Sequence, residues 1–268
     1  MPSDNETFQV ELISRVTDFH FTDEWYEHIS EDHFWFHWRR IVIISQASDL
    51  KIPLDKELKV LEVGCGTGLL RAQMENATSW IIDGADLNLS ALKKSKAFKG
   101  RTMLYDITEE KPSFVNSYDV VILYDVLEHI EATRKFLSSA IRHLKPGGIL
   151  LVNVPALSVF FSPFDRAMGH FRRYDKKSLS LEFKDMGMDI LDMRYWGMSM
   201  LPLLAARKVV MSVHKFKGEK TIRYGFNVPG AFSLIFQHVM TGLMRLETAC
   251  FKSPVLGTSL LLAGKRNA

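Results

Sequence analysis

Three glycines at alternate positions, Gly64, Gly66 and Gly68, follow the apolar run Val60-Leu61-Glu62-Val63 and precede Leu69-Leu70. A strand running into such a turn and then a helix lacks β-carbons where the backbone must bend, so a ligand can rest directly on it. In an open parallel sheet that ligand lies beyond the carboxyl ends of the strands. Dinucleotide loops read G-x-G-x-x-G, whereas here the third glycine arrives one residue early. That spacing suits S-adenosylmethionine (SAM), which has no pyrophosphate for the helix N-terminus to hold.

Three further groups follow in order. Asp86 closes the next apolar run, where a carboxylate can accept hydrogen bonds from both ribose hydroxyls. Asp106-Ile107 closes the third, where the acid can reach an adenine amino group and the isoleucine can pack on the ring. Tyr124-Asp125-Val126-Leu127-Glu128-His129 closes the fourth and opens a loop beside the reacting sulfur. Singly, each is a common polar cap on a strand end; their succession at consecutive strand ends points to one ligand.

To position these groups, strands and helices must alternate. Strands are expected over residues 59–63, 80–85, 102–106, 120–124 and 149–154, with helices over 69–76, 90–98 and 133–144. Such alternation predicts a parallel sheet covered by helices on both faces. Pro146-Gly147-Gly148 is expected to stop the last helix and turn the chain into a strand. Residues 8–48 read as helical, capped at Thr22 or Asp23, with an aromatic cluster from Trp25 to Trp38. Residues 157–180 read as a long loop with a short helix, 187–196 and 256–263 as the last strands, and 198–213 and 228–251 as apolar helices.

Glu62-Val63-Gly64-Cys65-Gly66-Thr67-Gly68, Asp86, Asp125-Val126-Leu127-Glu128-His129-Ile130 and Leu144-Lys145-Pro146-Gly147-Gly148 together resemble the successive motifs of class I SAM-dependent methyltransferases. Within these the chain is similar to the group that includes the ubiquinone-biosynthesis O-methyltransferases and bacterial small-molecule and glycan-cluster enzymes. The likeness covers about residues 24–200 and, through Gly257-Thr258-Ser259-Leu260, the final strand. It implies an α/β, Rossmann-like fold whose seven-stranded, mostly parallel sheet ends in an antiparallel strand. It also implies SAM as donor and S-adenosylhomocysteine (SAH) as product. Residues 1–50 would be a helical lid, 51–197 the cofactor-binding core with a substrate loop at 156–180, 198–255 a helical insertion over the acceptor, and 256–268 the last strand. Glu62, Gly64, Cys65, Gly66 and Gly68 would line the methionine and ribose portion, Asp86 and Leu87 the ribose, and Asp106 and Ile107 the adenine. Tyr124 would face the methionyl moiety, and Arg39 would reach its carboxylate.

Methyl transfer from a sulfonium is an in-line displacement on an activated carbon, so holding the reactants together supplies much of the acceleration. A base is required where the acceptor must lose a proton. His170, in Gly169-His170-Phe171-Arg172-Arg173-Tyr174 after the fifth strand, is the first candidate, ahead of His129; a histidine that merely orients the loop is the alternative. Arg172 and Arg173 can bind an acceptor carboxylate or phosphate, with Asp125 and Tyr174 beside them, although a solvated arginine pair reads equally well. His33 and His37 have the i, i+4 spacing of a metal pair but no evident third ligand, so no metal is expected.

The remaining composition sets limits. With 47% hydrophobic and 24% charged residues over 268 positions, this is a folded chain. Two distant cysteines, Cys65 and Cys250, and a polar N-terminus suggest a cytoplasmic protein. Residues 194–268 hold 11 Lys and Arg against 2 Asp and Glu, while residues 1–193 hold 23 against 29. This basic quarter suits an anionic membrane surface or a lipid-linked acceptor; a buried helical pair or a homodimer interface is the alternative. Nucleic acid is disfavoured, because no recognition module is evident. The expected activity is methylation, on oxygen, of a small hydrophobic or lipid- or sugar-linked acceptor. Two readings compete with it: a SAM-binding regulatory protein without turnover, and an NAD-dependent oxidoreductase that the glycine spacing opposes.

Overall fold

The computed structural model describes residues 9–16, 33–213 and 232–268. Its sheet has eight strands: β1 (Glu11–Leu12), β2 (Lys59–Val63), β3 (Ile81–Asp86), β4 (Thr102–Leu104), β5 (Tyr118–Tyr124), β6 (Leu144–Pro155), β7 (Met188–Trp196) and β8 (Ser259–Arg266). They lie in the order β1-β4-β3-β2-β5-β6-β8-β7. All neighbours are parallel except β8, which runs antiparallel to both β6 and β7. The chain moves from β2 out to β4 on one side and returns to β5 on the other. The crevice at the carboxyl ends of β2 and β5 is therefore the topological switch point where such sheets bind ligands.

Side-chain alternation explains why these strands read as continuous apolar runs. Val60, Val120 and Ile122 face one layer, with Trp38, Ile43 and Ala47 of α1 (Phe34–Asp49) and Leu70 and Met74 of α2 (Leu69–Ala77). Leu61, Val121 and Leu123 face the other, against Leu137, Ala140 and Ile141 of α4 (Thr133–His143). α3 (Leu89–Lys93) is closed at its start by Asn88, whose side chain accepts from the Ala91 amide at 3.0 Å.

Several expectations need correction. The sheet has eight strands, not seven, because residues 11–12 extend and pair with Met103 and Leu104. Residues 8–48 are not one helix: α1 begins at Phe34, capped by His33, whose ring nitrogen accepts from the Trp35 amide at 3.2 Å. The proposed caps Thr22 and Asp23 lie outside the described residues. The helix expected over 90–98 ends at Lys93, and Phe98 instead lies under the Arg71 guanidinium at 4.2 Å. Pro146-Gly147-Gly148 does not form a free turn. α4 stops at His143, and β6 runs through these residues with a register shift opposite Tyr118 and Val120.

Between β6 and β7 the chain forms α5 (Pro163–Ala167) and α6 (Lys176–Glu182). Both helices carry reciprocal capping boxes, Ser162 with Asp165 and Asp175 with Ser178. Between β7 and β8 lie α7 (Leu201–Val213) and α8 (Phe232–Cys250). No helix among the described residues is long and apolar enough to cross a membrane.

Candidate active site

The turn after β2 carries Gly64, Gly66 and Gly68 at φ of +73°, +53° and +81°, a region costly to side-chain-bearing residues. Space forbids side chains as well. A β-carbon on Gly64 would sit 2.6 Å from Val126 Cγ2, and one on Gly68 2.7 Å from the Phe98 ring. Asp86 ties this turn to the end of β3: its Oδ2 accepts from the Gly66 amide and its Oδ1 from the Asn88 amide, both at 2.7 Å. Burial raises the Asp86 pKa, and the amides of Asn88, Gly66 and Leu87 pull it back.

A cavity of about 700 Å³ opens at the switch point. Arg39, Glu62, Gly64, Cys65, Gly66, Asp86, Leu87, Asp106, Ile107 and Tyr124 line it, and so do Asp125, His129, His170 and Arg173. Gly68, Arg172 and Tyr174 do not line it. Gly68 shapes the turn and stands at the start of α2. Arg172 donates to the Glu131 carbonyl at 2.9 Å and faces Glu182. Tyr174 is buried in the core under β6. In an extended segment neighbouring side chains alternate, so Arg173 faces the cavity while Arg172 and Tyr174 on either side of it do not.

The lining retains unsatisfied polar atoms. Glu62 Oε2, Arg39 Nε and Tyr124 Oη are buried without a hydrogen-bond partner, which is unusual unless a ligand completes them. Arg39 Nη1 bonds Asp125 Oδ2 at 2.7 Å, and Asn153 donates to Asp125 Oδ1 at 2.6 Å while accepting from Trp196 Nε1 at 2.9 Å. Burial pushes Glu62 up to about 7 against the attraction of Arg39 and Arg71. An unfolded chain loses this proton near pH 4.5, so the stabilisation is complete below that value and is lost as pH rises toward 7. The window is worth about 3 kcal/mol. The melting temperature of ligand-free Glu62→Gln relative to wild type should therefore rise by roughly 6 °C or more between pH 4.5 and 7.5. A constant difference in scanning calorimetry would remove the buried, protonated Glu62 from the account.

Farther along the cavity, His170 Nδ1 lies 3.2 Å from Asp165 Oδ1, which also accepts from Arg173 Nε at 2.6 Å. Burial works to raise Asp165, but His170, Arg173 and Ser162 hold it down at about 2. A fixed anion there orients the imidazole and leaves its other nitrogen for the cavity. His129 packs edge-on against His170 at 4.7 Å, and burial lowers its pKa to about 3, so it is neutral. Glu128, fully enclosed, is raised well above the carboxylate range. Glu128, His129 and His170 offer ligand atoms within 4.8 Å of one another; His33 and His37 instead serve the α1 cap and a contact with Arg40. Sequence reasoning missed Asp165, although Ser162-Pro163-Phe164-Asp165 has the spacing of a capped helix start.

Residues 35–193 match the family described as methyltransferase domain. The chain belongs to the methyltransferase domain family. The domain is 36% identical over 104 residues to a ubiquinone biosynthesis O-methyltransferase of Rickettsia canadensis, a match covering 36% of this chain and 42% of that protein. It is 33% identical over 108 residues to that of Cereibacter sphaeroides, covering 38% and 44%. The match thus spans less than half the length of these relatives. Among solved structures it resembles phosphoethanolamine N-methyltransferase 2 of Haemonchus contortus in complex with SAM, with a TM-score of 0.53 and 18% identity over 86% of this chain and 52% of the other. That likeness concerns the fold, whose class I methyltransferase architecture the eight-stranded sheet shares.

Proposed function

We propose that this chain is a SAM-dependent methyltransferase acting on an oxygen of a small hydrophobic or lipid- or sugar-linked acceptor. The observation that carries the reading is the continuity of one cavity, from the glycine turn fastened to Asp86 to the His170–Asp165 pair. The polar residues fit the cofactor: Asp86 offers carboxylate lone pairs for a ribose, Asp106 and Ile107 suit an adenine, and Arg39, Glu62 and Tyr124 hold unsatisfied atoms where the amino-acid portion belongs. When bound, SAM supplies a methyl group on a sulfonium that leaves as a thioether. The chain's own contribution is to hold the acceptor oxygen in line and to accept its proton at His170, with Asp165 orienting the ring and Arg173 orienting Asp165.

Calorimetric titration with SAH and with NADH, followed by labelled-methyl transfer from SAM into a cell extract, tests the proposal. SAH binding with transfer is expected. NADH binding without SAH binding would make the protein an oxidoreductase, and SAH binding without transfer a regulator. Transfer should survive dialysis against EDTA; loss restored by a divalent cation would assign Glu128, His129 and His170 to a metal instead.

The acceptor end of the cavity is walled by α7 and by Phe236 of α8. Leu203, Val209 and Val210 on α7 and Ile235, Val239 and Leu246 on α8 are exposed apolar residues in the basic quarter of the chain. This supports delivery of the acceptor from an anionic membrane surface. In flotation, recovery with phosphatidylglycerol liposomes should exceed that with phosphatidylcholine several-fold and fall in high salt; equal recovery would count against a charge-driven surface role.

A further inference from the structure

The cavity-facing residues of α7 recur at helical spacing: Leu203, Leu204, Ala206, Arg207, Val210 and Met211. An apolar stripe is what a helix needs to close a hydrophobic pocket, and Arg207 places a charge in the middle of it. Its guanidinium carbon lies 4.1 Å from the centre of the Phe164 ring. Phe164, Met168 and Met211 form a small buried apolar cluster beside it. Arg207 Nε is buried with no hydrogen-bond partner, and no described carboxylate forms an ion pair with this side chain. Asp165, the acid that favours its charge, is already engaged by Arg173 at 2.6 Å and by His170 at 3.2 Å. Burial and the like charge of Arg173 together lower the Arg207 pKa to about 10. Arg207 is half-buried; a cation partly enclosed in an apolar wall without a counter-ion is costly, and such a violation of patterning points to a ligand that supplies the missing charge.

We propose that Arg207 anchors an anionic group of the acceptor, a carboxylate or phosphate carried on an apolar body, at the wall of the cavity formed by α5 and α7. The inference rests on the methyltransferase reading above and narrows its substrate class. Arg172 and Arg173, which the sequence offers for this role alongside a solvated pair, are committed elsewhere: Arg172 to Glu131 and Glu182, and Arg173 to Asp165 and the Ala156 carbonyl. Arg207 retains its donors, and the rings and thioethers around it select an amphiphile over a free inorganic anion. A guanidinium pairs with either oxyanion through two parallel hydrogen bonds, so the anion's source is a matter for experiment.

The probes are decanoate, decyl phosphate and decanol, titrated below their aggregation concentrations into wild type and Arg207→Gln, each with and without SAH. Wild type should bind one or both anions at least 10-fold more tightly than decanol, and Arg207→Gln should abolish that preference while leaving SAH affinity within about twofold. Arg207→Lys should keep part of the preference. Whichever of decanoate and decyl phosphate binds more tightly identifies the anion. Equal binding of anions and alcohol by wild type, no binding of any of them, or a preference that persists in Arg207→Gln would each overturn the proposal. So would a loss of SAH affinity beyond 10-fold in Arg207→Gln, which would give the residue to the cofactor. Failure of wild type to bind SAH, with the anion preference intact, would count against the methyltransferase reading alone.

Discussion

Asp86→Asn should weaken SAH binding by about 100-fold in calorimetry while the protein stays folded. The Asp86 carboxylate is held on one oxygen by the Gly66 amide and on the other by the Asn88 amide, which fixes it at the cavity wall. Two ribose hydroxyls donating to a carboxylate make charge-assisted bonds worth about 1.5–3 kcal/mol each, and a loss of about 2.8 kcal/mol is 100-fold in affinity. Asparagine keeps the shape, removes the charge and puts an amide nitrogen against one of the two backbone donors. The glycine turn therefore loses part of its tether as well. Because burial raises the Asp86 pKa, wild-type affinity should strengthen as pH rises and the acid ionises, and Asp86→Asn should lack that dependence. Affinity within threefold of wild type would mean that the ribose sits elsewhere.

The stretch of cavity around the glycine turn was legible in the sequence because its information is local. A glycine turn, a carboxylate ending a strand and an Asp-Ile pair each follow a strand whose apolar run is visible by itself, and the parallel topology brings their carboxyl ends together. Gly64 and Asp86 needed no knowledge of distant residues. The stretch around His170 and Arg207 depends on contacts between residues far apart in the chain. Nothing in Glu128-His129 announces His170, and nothing near Arg207 reveals that Phe164 will lie beneath it and that Asp165 will be engaged by others.

The errors share that origin. Arg172 and Arg173 are indistinguishable by type, yet alternation along an extended segment sends one toward Glu182 and the other toward Asp165. The two-residue strand at Glu11–Leu12 carries too short a pattern to be read, and its place is decided by the free edge of Thr102–Leu104. His33 and His37, whose spacing alone would allow a metal pair, are set aside for want of a third ligand, and His33 stands just before the helix and caps it.

The same non-local half of the site yields the prediction with the largest expected effect. With the acceptor recovered from the labelled-methyl assay, His170→Ala should lower kcat by about 10²–10⁴-fold, the range for removing a positioned base, with little change in SAH affinity. His170 Nδ1 faces the Asp165 carboxylate, so the neutral ring carries its proton there and presents the other nitrogen as a base. His170, Arg173 and Ser162 hold Asp165 down at about 2, so the orienting charge persists through the neutral range. His129, kept neutral by burial, cannot take over by carrying charge, although it walls the same pocket. Asp165→Asn provides the control. As a positioning residue it should reduce kcat less than His170→Ala, shift the acidic limb of the pH–rate profile and leave the acceptor KM nearly unchanged. A purely structural role for Asp165 would lower the melting temperature without moving that limb. Should His170→Ala turn over at the wild-type rate with saturating acceptor, the histidine is a wall of the pocket, and the acceptor must reach the methyl group already deprotonated or as a nucleophile that needs no base.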